Sequence, residues 1–113
     1  MAASASKPPV IARIATGGDI VSRAREALTG GAEIIEVVAD DTIGIQRELD
    51  RIVPAIEILI AAGIAAPIAI ASRRALVIDQ AIEAGAVIVR PLEGNEAAEI
   101  TEIIELHGAK IIG

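Results

Sequence analysis

Six side chains stand where this chain could do chemistry: Thr16, Asp40, Asp41, Arg73, Arg74 and Arg90. Each directly follows, or ends, a short β-branched run, and α/β proteins place their chemistry at the carboxyl ends of strands. Asp40 and Asp41 are adjacent carboxylates, a pair that could hold Mg²⁺ or raise one partner's pKa. One of the two is also needed to start the helix that follows. Arg73 and Arg74 open a helix, where the dipole disfavours cations, so helix stability does not account for them. Together with Arg90 they could take up an anionic ligand at the strand ends.

The remaining candidates read as structural. The stretch Ala15-Thr16-Gly17-Gly18-Asp19 bears glycines before a helix, and its amides could meet an anion. It matches neither G-x-G-x-x-G nor G-x-x-x-x-G-K-[ST], and Asp19 puts a carboxylate where the anion would sit. A turn and a helix cap are expected there. His107 is the only histidine, so one chain cannot form a His-pair metal site or a His-based triad. Its place before Gly108 fits a helix C-terminus, where partial positive charge is favoured. The sequence thus predicts no catalytic constellation, no metal site and no cofactor.

Composition narrows the classes further. The 113 residues hold one core and not two. Apolar residues make up 53% and charged residues 23%, far from a disordered chain. No apolar run nears the ~18–20 residues of a membrane span: Ile56 to Ala71 is broken by Glu57, Gly63 and Pro67. With a mean hydropathy of +0.59, the apolar excess is expected in strands buried on both faces or in a subunit interface. A net charge of −6 disfavours nucleic-acid and membrane-surface partners. There is no Cys, Phe, Tyr or Trp, hence no disulfide, thiol nucleophile or stacking platform. So systematic an omission reads as a designed or simplified sequence, set against a natural chain of extreme bias. The first nine residues read as a loose leader before a single domain over 10–113, and a cytoplasmic setting is expected.

The elements that must position these side chains follow one pattern: a β-branched run, a cap, an amphipathic run, a glycine. Strands are predicted at Val10 to Ala15, Glu33 to Ala39, Pro67 to Ala71, Ala86 to Val89 or Arg90, and Ala109 to Ile112. Between them lie four helices, capped by Asp19, by Asp41 or Thr42, by Ser72 and by Asn95, and closed at Gly30 or Gly31, Gly63, Gly85 and Gly108. The inward positions are Ile20, Ala24, Ala27 and Leu28; Ile45, Leu49, Ile52 and Ile56; Ala75, Ile78 and Ile82; and Ile100, Ile103, Ile104 and Leu106. Pro54 falls inside the second helix and predicts a kink in one helix rather than two helices. The core is expected to centre on Ile34, Ile35, Val37, Ile68, Ile70, Ile88 and Ile104.

The order βαβαβαβαβ implies a parallel sheet with right-handed crossovers. Two α/β architectures fit: half of a TIM-type barrel, helices on one face, or a flavodoxin-like open sheet with helices on both. Arg13, Glu36, Arg90 and Lys110 lie within or at the ends of predicted strands. A barrel lumen tolerates such charges when they pair, and a half-barrel would leave that face uncovered.

The segment Gly31 to Leu92 resembles the first half of dihydropteroate synthase, the pterin-binding α/β barrel. GAEIIEVVADDT is similar to that family's second strand and following loop, RELDRIVPAIEIL to its second helix with the proline, and PIAIASRRALVIDQAIEAGAVIV to its third strand, third helix and fourth strand. The chain departs from the family where the family does chemistry. The first strand continues as ARIATGGD instead of an asparagine and a Thr-Pro-Asp-Ser-Phe loop. Asp40, Asp41 and Thr42 match part of the Glu-Ser-Thr-Arg-Pro-Gly loop, with Ile43 at its arginine. Ala71 matches the aspartate that binds the pterin, and Arg90 and Pro91 match an Asn-Asp pair. The resemblance therefore implies the fold and argues against the activity.

The reading that results is a non-catalytic α/β scaffold. Its alternatives are a pterin- or phosphate-binding remnant of a synthase-like enzyme, or a half-barrel that associates with itself through its uncovered sheet face.

Overall fold

Strands and helices alternate along the residues that the computed structural model describes, 8–39 and 43–112. They are β1 (Ile11–Ala15), α1 (Ile20–Thr29), β2 (Ile34–Val38), α2 (Ile45–Ala61), β3 (Ile68–Ser72), α3 (Ala75–Ala84), β4 (Ile88–Pro91), α4 (Ala97–His107) and β5 (Lys110–Ile111). Every strand pair is parallel and the order is β1-β2-β3-β4-β5. A flavodoxin-like sheet requires the chain to reverse direction after its first crossover. Here each crossover moves one place the same way, so the flavodoxin-like alternative is set aside. The sheet is a sector of an α/β barrel.

Side-chain alternation along the strands separates two faces. Ile14, Ile35, Val37, Ile68, Ile70 and Val89 point to the helices and form one buried core with Ile20, Ala24, Ile52, Ile56, Leu59, Val77, Ile78 and Ile100. On the opposite, inner face, Ile34, Ala69 and Ile88 form a second small cluster against Ile112, to which none of the described helices contributes. Six of the seven expected core residues are buried, whereas Ile104 is half-buried. Leu106, expected inward, is 78% exposed. Position 106 falls on the outer flank of the α4 stripe that Ile100, Ile103 and Ile104 define.

Helix α2 runs unbroken through Pro54, which lies on its exposed side. Its buried stripe is Glu48, Ile52, Ala55, Ile56 and Leu59, while Ile45, expected inward, is 42% exposed. Its N-cap is Gly44; Asp41 and Thr42, expected to cap it, lie outside the described residues. Two other caps differ from expectation. Ser72 is the last residue of β3, and the N-cap of α3 is Arg74. The N-cap of α4 is Glu96, and the Asn95 side chain instead donates to the Leu92 carbonyl at 3.0 Å.

Asp19 caps α1 as expected, accepting from the Ser22 amide at 3.1 Å and the Ser22 hydroxyl at 2.8 Å. The amide first, then the hydroxyl, hold its carboxyl below the ordinary carboxylate value of 3.8. A carboxyl with a lowered folded-state pKa stabilises the fold above its ordinary value, and that contribution is lost as pH falls through the lowered one. Arg23 secures the same turn by donating to the Ala15 carbonyl at 2.9 Å and to the Gly17 carbonyl.

Three outcomes follow from this packing. Ile70→Ala, at a fully buried site, lowers unfolding free energy in urea by about 2–5 kcal/mol, and a loss below about 0.5 kcal/mol would contradict its central place. Gly85→Ala destabilises by more than about 1 kcal/mol, because φ is +134° and the new Cβ would stand 2.9 Å from Ile60 Cγ1. Adding Ile60→Ala recovers the steric part and leaves the backbone part. In acid, the difference in melting temperature between the parent and Asp19→Ala shrinks as pH falls below 3.8.

Candidate functional site on the inner face

Glu36 is a carboxylate at 0% exposure in the middle of a strand, so it must be neutralised or hydrogen-bonded on every oxygen. Parallel register sets Arg13 of β1 beside it on one side and Ala69 of β3 on the other. Arg90 of β4 lies two strands away, about 10 Å by strand spacing. Its register neighbour on β3 is Ala71, which shares the inner face with Ala69. Two alanines in a row leave the path over β3 open, and the long Arg90 side chain crosses it.

The result is an ion triad. Arg90 grips Glu36 in two-pronged fashion, Nε on Oε1 at 2.6 Å and Nη2 on Oε2 at 2.7 Å. Arg13 adds Nε on Oε2 at 2.9 Å. Burial is graded: Glu36 is enclosed, while the side chains of Arg90 and Arg13 are 27% and 55% exposed. A recess of about 450 Å³ opens over the triad, lined by Ile11, Arg13, Glu36 and Arg90. Two guanidinium groups against one carboxylate leave the recess locally positive, although the chain as a whole is negative.

A second ionic cluster stitches the strand ends to the helices. Glu48 of α2, 2% exposed, accepts from the Ser72 hydroxyl at 2.8 Å and from Arg74 Nη1 at 2.9 Å. Ser72 Oγ in turn accepts from the Arg74 amide at 3.1 Å. Glu96 reaches back to accept from the Ala75 amide at 2.7 Å, and its own amide donates to the Arg73 carbonyl at 3.0 Å. The amides of Arg74 and Ala75 at the start of α3 are therefore met by Ser72 of β3 and by Glu96, the N-cap of α4, while Glu48 of α2 holds the Arg74 side chain. Among the described residues no buried side-chain nitrogen or oxygen lacks a partner.

The predicted site residues thus do not converge. Arg90 lies in the inner recess. Arg74 is committed to Glu48, on another part of the sheet edge. Arg73 contributes its carbonyl to the α4 entry. Thr16, whose amide donates to the Val38 carbonyl at 3.2 Å, lines a separate hollow with Gly17, Asp50, Arg51 and Pro54. Asp40 and Asp41 lie outside the described residues. The group missed outright is Glu48. Its position on the stripe with Ile52, Ala55 and Leu59 was the available signal, since a carboxylate on a buried face requires a cation. His107 ends α4 as expected but is half-buried, with Nε2 2.8 Å from Asp79 Oδ1.

Comparison with known proteins places this geometry. The family model described as pterin binding enzyme matches residues 12–112. The folic acid synthesis protein fol1 of Schizosaccharomyces pombe is 31% identical over 87 residues, 72% of this chain and 12% of that protein. Among solved structures, dihydropteroate synthase of Yersinia pestis bound to a pterine-sulfa conjugate superposes with a TM-score of 0.79 at 24% identity, over 92% of this chain and 42% of that one. The Thermus thermophilus enzyme in complex with 4-aminobenzoate gives 0.73 at 22% identity, over 91% and 40%. The chain therefore spans about two fifths of the solved enzymes it matches. With the match running from the first strand to the last, this chain belongs to the pterin binding enzyme family.

Proposed function

We propose that this chain serves as a structural half of a pterin-binding barrel, supplying wall and core rather than group-transfer chemistry. The observation that carries the reading is Arg90 clamped on Glu36. The resemblance matches Arg90 to an asparagine and Ala71 to the aspartate that meets the pterin; these two positions are register neighbours on the inner face. An alanine there accepts no hydrogen bond from a pterin ring, and the neighbouring guanidinium is held by the protein's own carboxylate. The inner recess is thus organised around an internal ion triad. The all-aliphatic core supports the same scaffold reading.

A second reading is favoured by the sheet edges. Val10 and Ile11 beside the β1 edge are 54% and 37% exposed, and Ile111 on the β5 edge is 59% exposed. Apolar edges of this kind pair with further strands. In this reading the half-barrel associates with a second copy through its open edges and inner face.

Incubated with a pterin substrate and 4-aminobenzoate, the chain is expected to form no dihydropteroate above the protein-free rate; measurable product would overturn the scaffold reading. A rise in melting temperature with pterin that Arg90→Ala abolishes would favour a ligand-binding remnant instead. Arg90→Met leaves Glu36 with Arg13 alone and costs about 3–5 kcal/mol in urea unfolding, whereas Glu36→Met/Arg90→Met regains a large part of that loss. Light scattering at micromolar concentration tests the second reading, and a strict monomer removes it.

A further inference from the structure

We infer that Asp79, Glu83 and His107 form a divalent transition-metal site that bridges the C-terminal ends of α3 and α4, away from the inner face. One ligand atom from each residue lies within 4.8 Å of the other two. Asp79 and Glu83 are four residues apart on α3 and so share one face. His107 is the last residue of α4, where Gly108 turns the chain in the left-handed region at φ 69° and donates its amide to the Ile104 carbonyl at 2.8 Å. That stop fixes the imidazole against α3.

Helix stability does not explain Glu83, which lies in the last turn of α3, where the dipole disfavours anions and no basic residue stands. Asp79 sits one turn earlier on the same face, at mid-helix. Helix α4 also ends here, so the negative ends of two helices meet at a pair of carboxylates. The only cationic candidate in the last turn of either helix is His107. A divalent cation relieves all of these terms together.

The donor set selects the metal. One imidazole nitrogen and two carboxylates suit Zn²⁺, Co²⁺ or Ni²⁺ better than Mg²⁺ or Ca²⁺, which prefer oxygen alone. Zinc bonds to such ligands at about 2.0–2.2 Å, which puts neighbouring donors about 3.0–3.4 Å apart. The His107–Asp79 separation of 2.8 Å reaches that range by opening a few tenths of an ångström. Glu83 is exposed and free to rotate inward. A recess of about 210 Å³, lined in part by Ile82, Gly85 and His107, opens beside the imidazole and has room for water ligands.

Because His107 is the only histidine, its imidazole nitrogen resonances report on the site without ambiguity. Titrating the intact chain with Zn²⁺ is expected to show one equivalent bound with micromolar affinity and a shift of the metal-bound nitrogen resonance. His107→Ala and Glu83→Gln each weaken binding by at least about tenfold, one of three protein ligands being lost. Glu83 is exposed, so its variant tests the site even if His107→Ala impairs folding. Glu26→Gln, on α1, leaves binding unchanged. Unmoved imidazole resonances at saturating Zn²⁺, or undiminished binding by the Glu83 and His107 variants, would overturn the assignment.

Discussion

A buried carboxylate on a strand must be met by cations from wherever the sheet can supply them, and Glu36 is met from both sides. Arg13 arrives from the adjacent strand and Arg90 from two strands away. Both arrivals depend on register: a slip of one residue in β1, β2 or β4 would turn one member of the triad toward the helices and break the ion pairing. The triad joins side chains from β1, β2 and β4 and so requires those strands at their observed spacing and register. The alanines at 69 and 71 belong to the same device, because a larger side chain at either would close the route Arg90 takes.

The inner face is built in two storeys. Ile34, Ala69, Ile88 and Ile112 make a dry lower layer, and Arg13, Glu36 and Arg90 make a charged layer above it. Barrel lumens are filled by such layers of inward side chains. The carboxylate of the charged layer is saturated by the neighbouring guanidinium groups. A separate polar cluster, Glu48 with Ser72 and Arg74, holds the strand ends to α2 and α3, so two independent ionic knots brace the carboxyl side of the sheet.

The alternation of elements was legible because each strand is short, β-branched and followed by a helical stripe and a glycine. The charges at Arg13, Glu36, Arg90 and Lys110 also pointed correctly to a barrel sector, since only an inner face accommodates them. What was not legible was pairing. Arg73, Arg74 and Arg90 share a place at strand ends in the sequence, but which carboxylate each meets depends on distances set by strand order. Glu48 was hidden for a related reason: its neighbours on the helical stripe are adjacent through periodicity, while Arg74 is 26 residues away. Cap identities shifted by one or two residues at Ser72 and Asn95: Ser72 belongs to β3 and gives its hydroxyl hydrogen to Glu48 while the distant Glu96 meets the Ala75 amide, and the Asn95 side chain turns back to the Leu92 carbonyl.

The fifth strand is only two residues long, its segment held by hydrogen bonds from the Lys110 amide to the Val87 carbonyl at 3.1 Å and from the Ile112 amide to the Val89 carbonyl at 2.9 Å, and the helix before it fully buries a single side chain, Ile100. Local opening free energy follows such contact poverty, so deuterium should enter the final helix–strand unit well before it reaches the second and third strands. The molecule then behaves as a firm four-stranded block with a peelable flap along one margin.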